Sequence, residues 1–480
     1  MIVALLLLIP FLCATALVVA TPTRMARSIA LASSLLTLAV TLYIWATYAG
    51  GMVMAVDRDW VPDWGLRFVM GYDGVSLLML LLTAIIFPFI IATGFGERLQ
   101  HPSLVNGLLL YAQTFLLSVF LAQNALLFYI FYELALIPVF FLLLYWGGEH
   151  RRGITVRFFM YTLLGGLSLL FGITYCLVQG GVYNADLTAL AALDLPVATQ
   201  TWLFWVLFLA FAIKLPIFPF HSWQPETYTM APLQGTMVLA AVMLKMGLYG
   251  TIKLVFPLVP EGVVYWRDTV IVLSLIGAIY GGIIAFRQVD LKRMIAYSSL
   301  SHVGVLCAGL FAWNGLGITG SLYQAFAHAV LVTALLYMVG TLRERVGSSS
   351  MSAMGGLKNR TPRLAALFFL VLINAVALPF TQSFIGEWLM FAGLWQVNGW
   401  MALAAVSTIV LGAIYMLYAY QRVMLGEDKW QLEMTDASLR DHLFLVPLIA
   451  ITLILGFYPA PILDLVNAPV EQLLSTLLVY

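Results

Sequence analysis

Apolar residues in this chain come in long uninterrupted runs rather than in alternation. Stretches of Leu, Ile, Val, Phe, Ala and Met follow one another from the N-terminus almost to the C-terminus, and short segments between them hold most of the charge. A run of roughly 20 apolar residues spans a bilayer as a helix, and within lipid a helix satisfies its own backbone polar groups. The pattern predicts about fourteen transmembrane helices, over residues 2–20, 28–48, 73–95, 104–121, 124–146, 155–179, 201–218, 228–252, 269–286, 293–312, 317–342, 363–398, 401–424 and 443–466. The run 363–398 is too long for one straight span and contains Pro379, which predicts a broken helix. The expected fold class is an all-α polytopic membrane protein with no soluble domain.

Composition agrees with that expectation. Of 480 residues, 62% are hydrophobic and 9% charged, against about 25% charged in a soluble domain. A net charge of +1 gives no reason to expect nucleic acid or an acidic partner. The first run, MIVALLLLIPFLCATALVVATPT, has the length of a secretory signal. No basic residue precedes it, and Arg24 and Arg27 follow it, so it is expected to stay as the first helix. Cys13, Cys176 and Cys307 lie far apart in apolar runs, with no metal or disulfide spacing, and read as small buried hydrophobes. No Gly-rich phosphate loop follows a strand, so no nucleotide or flavin site is expected in this chain. If the chain serves a redox machine, it is not the part that handles electrons.

Basic residues orient the spans. Of 23 lysines and arginines, only Arg58, Arg67, Lys253 and Arg267 fall in loops after even-numbered spans, and Lys214 and Lys245 fall inside spans. All the others, from Arg24 and Arg27 through Arg98 and Arg287 to Lys429 and Arg440, fall in loops after odd-numbered spans. Positive loops stay cytoplasmic, so both termini are expected outside. One missed or invented span in mid-chain would scramble the bias, which therefore supports the count as well.

The charges inside the runs carry the candidate chemistry. They are Glu133 in FYIFYELALIPVFF, Lys214 in LAFAIKLPIF, Lys245 in AAVMLKMGLYG and Glu387 in FIGEWLMFAG. A charge at the bilayer centre costs about 2.5–3.5 kcal/mol even on the lenient insertion scale, which favours a function for each. The other reading is a structural ion pair or a side chain snorkelling to the surface, which apolar residues on both sides make difficult for Lys214 and Lys245. Lysine suits proton exchange, because burial disfavours its charged form and a nearby carboxylate favours it. If Glu133 approaches Lys214, displacing one charge changes the other's hold on its proton.

The two halves repeat a motif. Ile213-Lys214-Leu215-Pro216 leads to Trp223, and Ala377-Leu378-Pro379-Phe380 leads to Glu387-Trp388, each with a Leu-Pro break beside an ionisable residue. Paired, interrupted spans point to a transporter's site, although Leu-Pro pairs also recur by chance. His302 and His328 lie in neighbouring spans, where each is either a proton relay or a neutral core residue. His221 and Glu226, past the first break, either admit protons or bind a partner at a cytoplasmic mouth, or belong to a solvated loop.

At these residues the chain resembles a known family. FAIKLPIFPFHSWQPETYTMAP, the span ending VMLKMGLYG, and FRQVDLKRMIAYSSLSHVG are similar to the antiporter-like membrane subunits of respiratory complex I, in the Mrp-antiporter-like superfamily. The similarity covers nearly the whole chain. It is strongest to the subunit M (chain 4) type, because Glu387 stands where the L and N subunits and the Mrp D subunit usually carry lysine. The chain also ends soon after its last span, without the lateral helix of subunit L, and is somewhat short for the M type.

The resemblance implies a proton relay. Glu133 matches the family's glutamate of the fifth helix, Lys214 its partner on the broken seventh, and Lys245 the central lysine of the eighth. His328 matches the relay point of the eleventh helix and Glu387 the terminal acid of the twelfth, with His302 a possible further member. The family fold implies helices 1–3 over residues 1–95, two inverted five-helix repeats over 104–252 and 269–424, and a last helix within 443–480. The implied activity is proton translocation by a non-redox subunit of NADH:quinone oxidoreductase in a bacterial cytoplasmic membrane. NADH, FMN, Fe–S clusters and quinone would belong to other subunits. Expected partners are the L- and N-type neighbours, through them the peripheral NADH-oxidising arm, and membrane lipid. A Mrp-type sodium/proton antiporter or a membrane-bound hydrogenase-like complex would use the same module.

Overall fold

In the computed structural model, residues 2–19, 24–95, 100–181, 184–427 and 434–477 are described. Arg98 and Lys429, two of the loop cations used to orient the spans, lie outside them. Helices make up most of the described residues. In order they are α1 (Ile2–Val19), α2 (Ala26–Ala46), α3 (Gly74–Thr93), α4 (Pro102–Leu121), α5 (Ala125–Trp146), α6 (Arg151–Gly180), α7 (Val197–Lys214) and α8 (Leu233–Leu258). The second half contains α9 (Pro260–Arg287), α10 (Leu291–Leu310), α11 (Gly315–Val346), α12 (Pro362–Ala375) and α13 (Gln382–Val397). It ends with α14 (Gly399–Met424), α15 (Leu439–Phe457) and α16 (Ala460–Leu477).

Among the described residues 12 helices are long and apolar enough to cross a membrane. The other two expected spans are α10, 20 residues long but diluted by serines and His302, and the broken pair α12–α13. The chain divides into two compact units. The first comprises residues 1–215, 230–268 and 464–480, and the second 216–229 and 269–463.

Proline explains where the helices break. Pro216 cannot donate to the carbonyl a turn earlier, so α7 ends at Lys214, and helix resumes only at Trp223–Met230. The expected spans 201–218 and 228–252 thus become α7 and α8 with a short helix between them. In the second half, α12 stops at Ala375 and α13 starts at Gln382. The connection passes Pro379 with Ala377 (φ 51°) and Phe380 (φ 74°) in left-handed backbone. Within α5, Pro138 removes the hydrogen bond to the Leu134 carbonyl, and the helix steps at Ala135, next to Glu133.

Three features depart from the apolar-run reading. A hairpin pairs β1 (Val53–Val61) with β2 (Leu66–Tyr72) through a turn closed by Gly65 at φ 69°. Its Arg67 binds Asp57 at 2.6 Å, Asp59 at 3.1 Å, and Asp186. The last expected span stops at Phe457, before Tyr458-Pro459, and α16 follows as a separate helix. Lys253, read as a loop residue, lies within α8 and pairs with Asp73, the N-cap of α3.

Candidate functional site

In the first unit, α5, α6 and α7 bring Glu133 and Lys214 together. Lys214 closes α7, is 2% exposed, and lies 5.2 Å from the Tyr132 ring centre and 6.0 Å from that of Phe158. Its Nζ makes no hydrogen bond, and neither does the buried Oε1 of Glu133. The two charges act on each other electrostatically across that gap. Two glycines of α6 create the arrangement. A Cβ on Gly165 would sit 3.0 Å from the Ala210 Cα, so α6 and α7 approach backbone to backbone. A Cβ on Gly166 would sit 1.8 Å from Glu133 Oε1, so the missing side chain is the slot that holds the carboxylate.

Lys245 stands on α8 against the end of α7. A Cβ on Gly247 would meet the Lys214 Cβ at 3.1 Å, and one on Gly250 would meet the Phe211 ring at 2.2 Å. Lys245 is 2% exposed, and its Nζ donates to Ala240 O at 3.0 Å. The helix is wound as π-helix on both sides of the lysine, over Val238–Met243 and Thr251–Val255. Such turns loosen the regular hydrogen-bond ladder and occur often at functional sites.

In the second unit, α10, α11 and α13 assemble a buried polar line. Ser299 and His328 Nε2 are 3.1 Å apart, and the His328 and His302 rings lie 6.1 Å centre to centre. His302 Nδ1 approaches Glu387 Oε1 at 3.3 Å, and Gln324 Nε2 reaches the same oxygen at 3.5 Å. His302 therefore occupies the middle of the line, with its Nε2 buried and unpartnered. In the sequence it ranks only as a possible member, because spacing along a helix does not reveal its rotation against a neighbour. Gly386 admits Gln324, whose Oε1 would lie 2.5 Å from an added Cβ.

The remaining candidates are placed apart from these groups. His221 is half-buried in the first break, packed on the Phe218 and Tyr280 rings at 5.6 and 5.3 Å. Glu226 is exposed on the helix Trp223–Met230. Lys292, counted among the loop cations, is buried in the first turn of α10 and donates to Thr229 O at 3.2 Å. Among the described residues no group of three or more His, Cys, Asp or Glu is arranged to hold a metal ion. Chemically, the two clusters can take up, hold and pass protons.

Three kinds of comparison bear on this reading. The family described as NADH:quinone oxidoreductase/Mrp antiporter, transmembrane, matches residues 122–412. NADH-quinone oxidoreductase subunit M of Rhodobacter capsulatus is 35% identical over 470 residues, covering 94% of this chain and 91% of that protein. A chain of respiratory complex I from Thermus thermophilus with bound NADH superposes with a TM-score of 0.91 at 29% identity, covering 98% of this chain and 100% of the other. A chain of the Mrp complex from Dietzia superposes at 0.83 with 21% identity, covering 99% of this chain and 55% of the other, which shows a shared fold alone.

Proposed function

Since the chain belongs to the NADH:quinone oxidoreductase/Mrp antiporter family, with subunit M among its relatives, we propose that it is a proton-translocating membrane-arm subunit of NADH:quinone oxidoreductase. The observation that carries the proton chemistry is the buried contact of His302 with Glu387, with His328 beside it. Titratable groups this close in a protein interior can hand on a proton with small side-chain movements.

In the first unit, Glu133 and Lys214 attract each other without a hydrogen bond. Either charge can move at small cost, and its movement alters the proton affinity of the other. Lys245 is the central proton carrier of that unit, and His328, His302 and Glu387 carry the proton in the second. Redox chemistry with NADH, FMN, Fe–S clusters and quinone belongs to other subunits, and this chain converts the conformational or electrostatic signal into proton movement. Neighbours of the L and N types would flank it, with the peripheral arm reached through them. The basic-loop bias supports both termini outside, in a bacterial cytoplasmic membrane.

Purification from native membranes with a tag on this chain tests the assignment. A co-purifying arm that oxidises NADH is expected. A small set of purely membrane partners would replace this reading with the Mrp-type antiporter.

A further inference from the structure

Within the first unit, the start of α3, the end of α8 and the last helix α16 enclose a cavity of about 400 Å³. The short helix Leu187–Ala191 and the linker at Gly51 and Met52 complete its wall. Small-molecule sites commonly measure about 300–1,000 Å³ and combine an apolar wall with a few polar groups. This cavity has that composition. Val75, Leu187 and Ile252 form a buried apolar floor, and Pro257, Pro469 and Leu473 continue it towards a rim at Thr188 and Ala468, which are exposed.

The charges in the lining are Asp73 and Lys253, one from each end of the ion pair that joins α3 to α8. Asp73 caps α3 by accepting from Ser76 N at 2.9 Å on one oxygen, and takes the lysine on the other. A lysine carries three N–H donors, and this one gives one of them to Asp73. The two side chains stay 14% and 13% exposed. Together they are neutral, so they offer a ligand a dipole rather than a net charge. An anion gains at Lys253 what it loses at Asp73. A zwitterion lays an opposite charge against each.

Helix α16 says what surrounds the rim. Its Leu465, Val466 and Val470 are buried, whereas Asp464, Asn467 and Glu471 face outward. A helix with one apolar and one polar face lies in the plane where membrane meets water. On the orientation proposed above, that boundary is the outer one. The amphiphiles there are phospholipids, which attach a charged headgroup to the acyl chains that an apolar wall accepts.

We propose that this cavity binds a phosphatidylethanolamine-type lipid of the outer leaflet, with its phosphate on Lys253, its ammonium on Asp73 and the start of its acyl chains against Pro257, Pro469 and Leu473. The ethanolamine ammonium has N–H groups to donate to Asp73, which a choline headgroup lacks, and a glycerol headgroup leaves the lipid with a net negative charge. None of the relay residues lines the cavity, so the site goes beyond the proton chemistry.

The test compares wild type with Thr188→Trp and Ala468→Trp, which fill the cavity from opposite sides of the rim and leave the ion pair intact. Each complex, purified with whichever partners it brings, is incubated in detergent with an equimolar mixture of phosphatidylethanolamine, phosphatidylcholine and phosphatidylglycerol of identical chains. After gel filtration the bound lipid is counted by mass spectrometry. The readout is the lipid that wild type retains and an assembled variant lacks, which removes the lipid bound elsewhere on the complex. The expected difference is phosphatidylethanolamine alone. No difference in either variant, or a difference shared equally among the three headgroups, overturns the proposal. If neither variant assembles, wild type decides by competition: soluble phosphoethanolamine that displaces the lipid at equal concentration overturns the lipid assignment, and retention of phosphatidylethanolamine over phosphatidylcholine against that competitor supports it.

Discussion

Gly166→Ala is a one-carbon change aimed at the Glu133 carboxylate. The new Cβ would lie 1.8 Å from Oε1 and 2.8 Å from the carboxyl carbon, where ordinary contact begins at 3.4 Å. The carboxylate oxygen must therefore move by about 1.6 Å, from 1.8 Å out to the 3.4 Å contact limit. Across roughly 4–6 Å and an effective dielectric of about 20, that displacement changes the attraction to Lys214 by about 0.6–1.2 kcal/mol, roughly threefold to eightfold in an equilibrium. The fold itself should hold, since the crowded atom ends a flexible side chain and alanine favours a helix interior over glycine by about 1 kcal/mol. The assay is NADH:quinone reduction and proton uptake in vesicles, with assembly checked on native gels. Coupled turnover is expected to fall by roughly threefold or more at normal assembly. Adding Glu133→Asp, which withdraws the carboxylate by one methylene, should restore part of it. Wild-type turnover and pumping in Gly166→Ala would refute the idea that the slot sets the Glu133–Lys214 interaction.

Two further predictions concern other parts of the structure. His302→Gln keeps a hydrogen-bonding group beside Glu387 but cannot titrate, so translocation should fall roughly tenfold, and the double variant with Glu387→Gln should be no worse than either alone. Asp73→Asn leaves Lys253 unpaired where the two side chains are 14% and 13% exposed. It should destabilise the first unit by about 3 kcal/mol, read as earlier heat-induced loss of the complex, and Asp73→Leu with Lys253→Met should recover most of it.

The transmembrane helices were legible in the sequence because lipid imposes a length and an apolar composition on every span. Pro216 and Pro379 were legible as breaks for a similarly local reason, the missing N–H. What sequence could not supply was rotation and depth. Glu133 and Lys214 were nameable as charges in apolar runs, but their meeting depends on α6 presenting Gly166, and nothing in GGLSLLFG marks that glycine as a slot. His302 and His328 looked alike along their helices, yet His302 meets Glu387 at 3.3 Å while His328 meets Ser299 at 3.1 Å. Lys253 and Lys292 looked like loop cations because they stand at the ends of apolar runs, and both have polar partners that hold them inside. The β1–β2 hairpin escaped because VMAVDRDWV and LRFVMGY are too short, and the first too charged, to register against runs of twenty apolar residues.

The most direct test of the account is the number of protons moved per electron pair by the assembled enzyme carrying Lys245→Ala, reconstituted in sealed vesicles. Fewer protons per electron pair than wild type are expected if the buried lysine on α8 carries protons in the first unit as proposed. A wild-type ratio at wild-type turnover would contradict it.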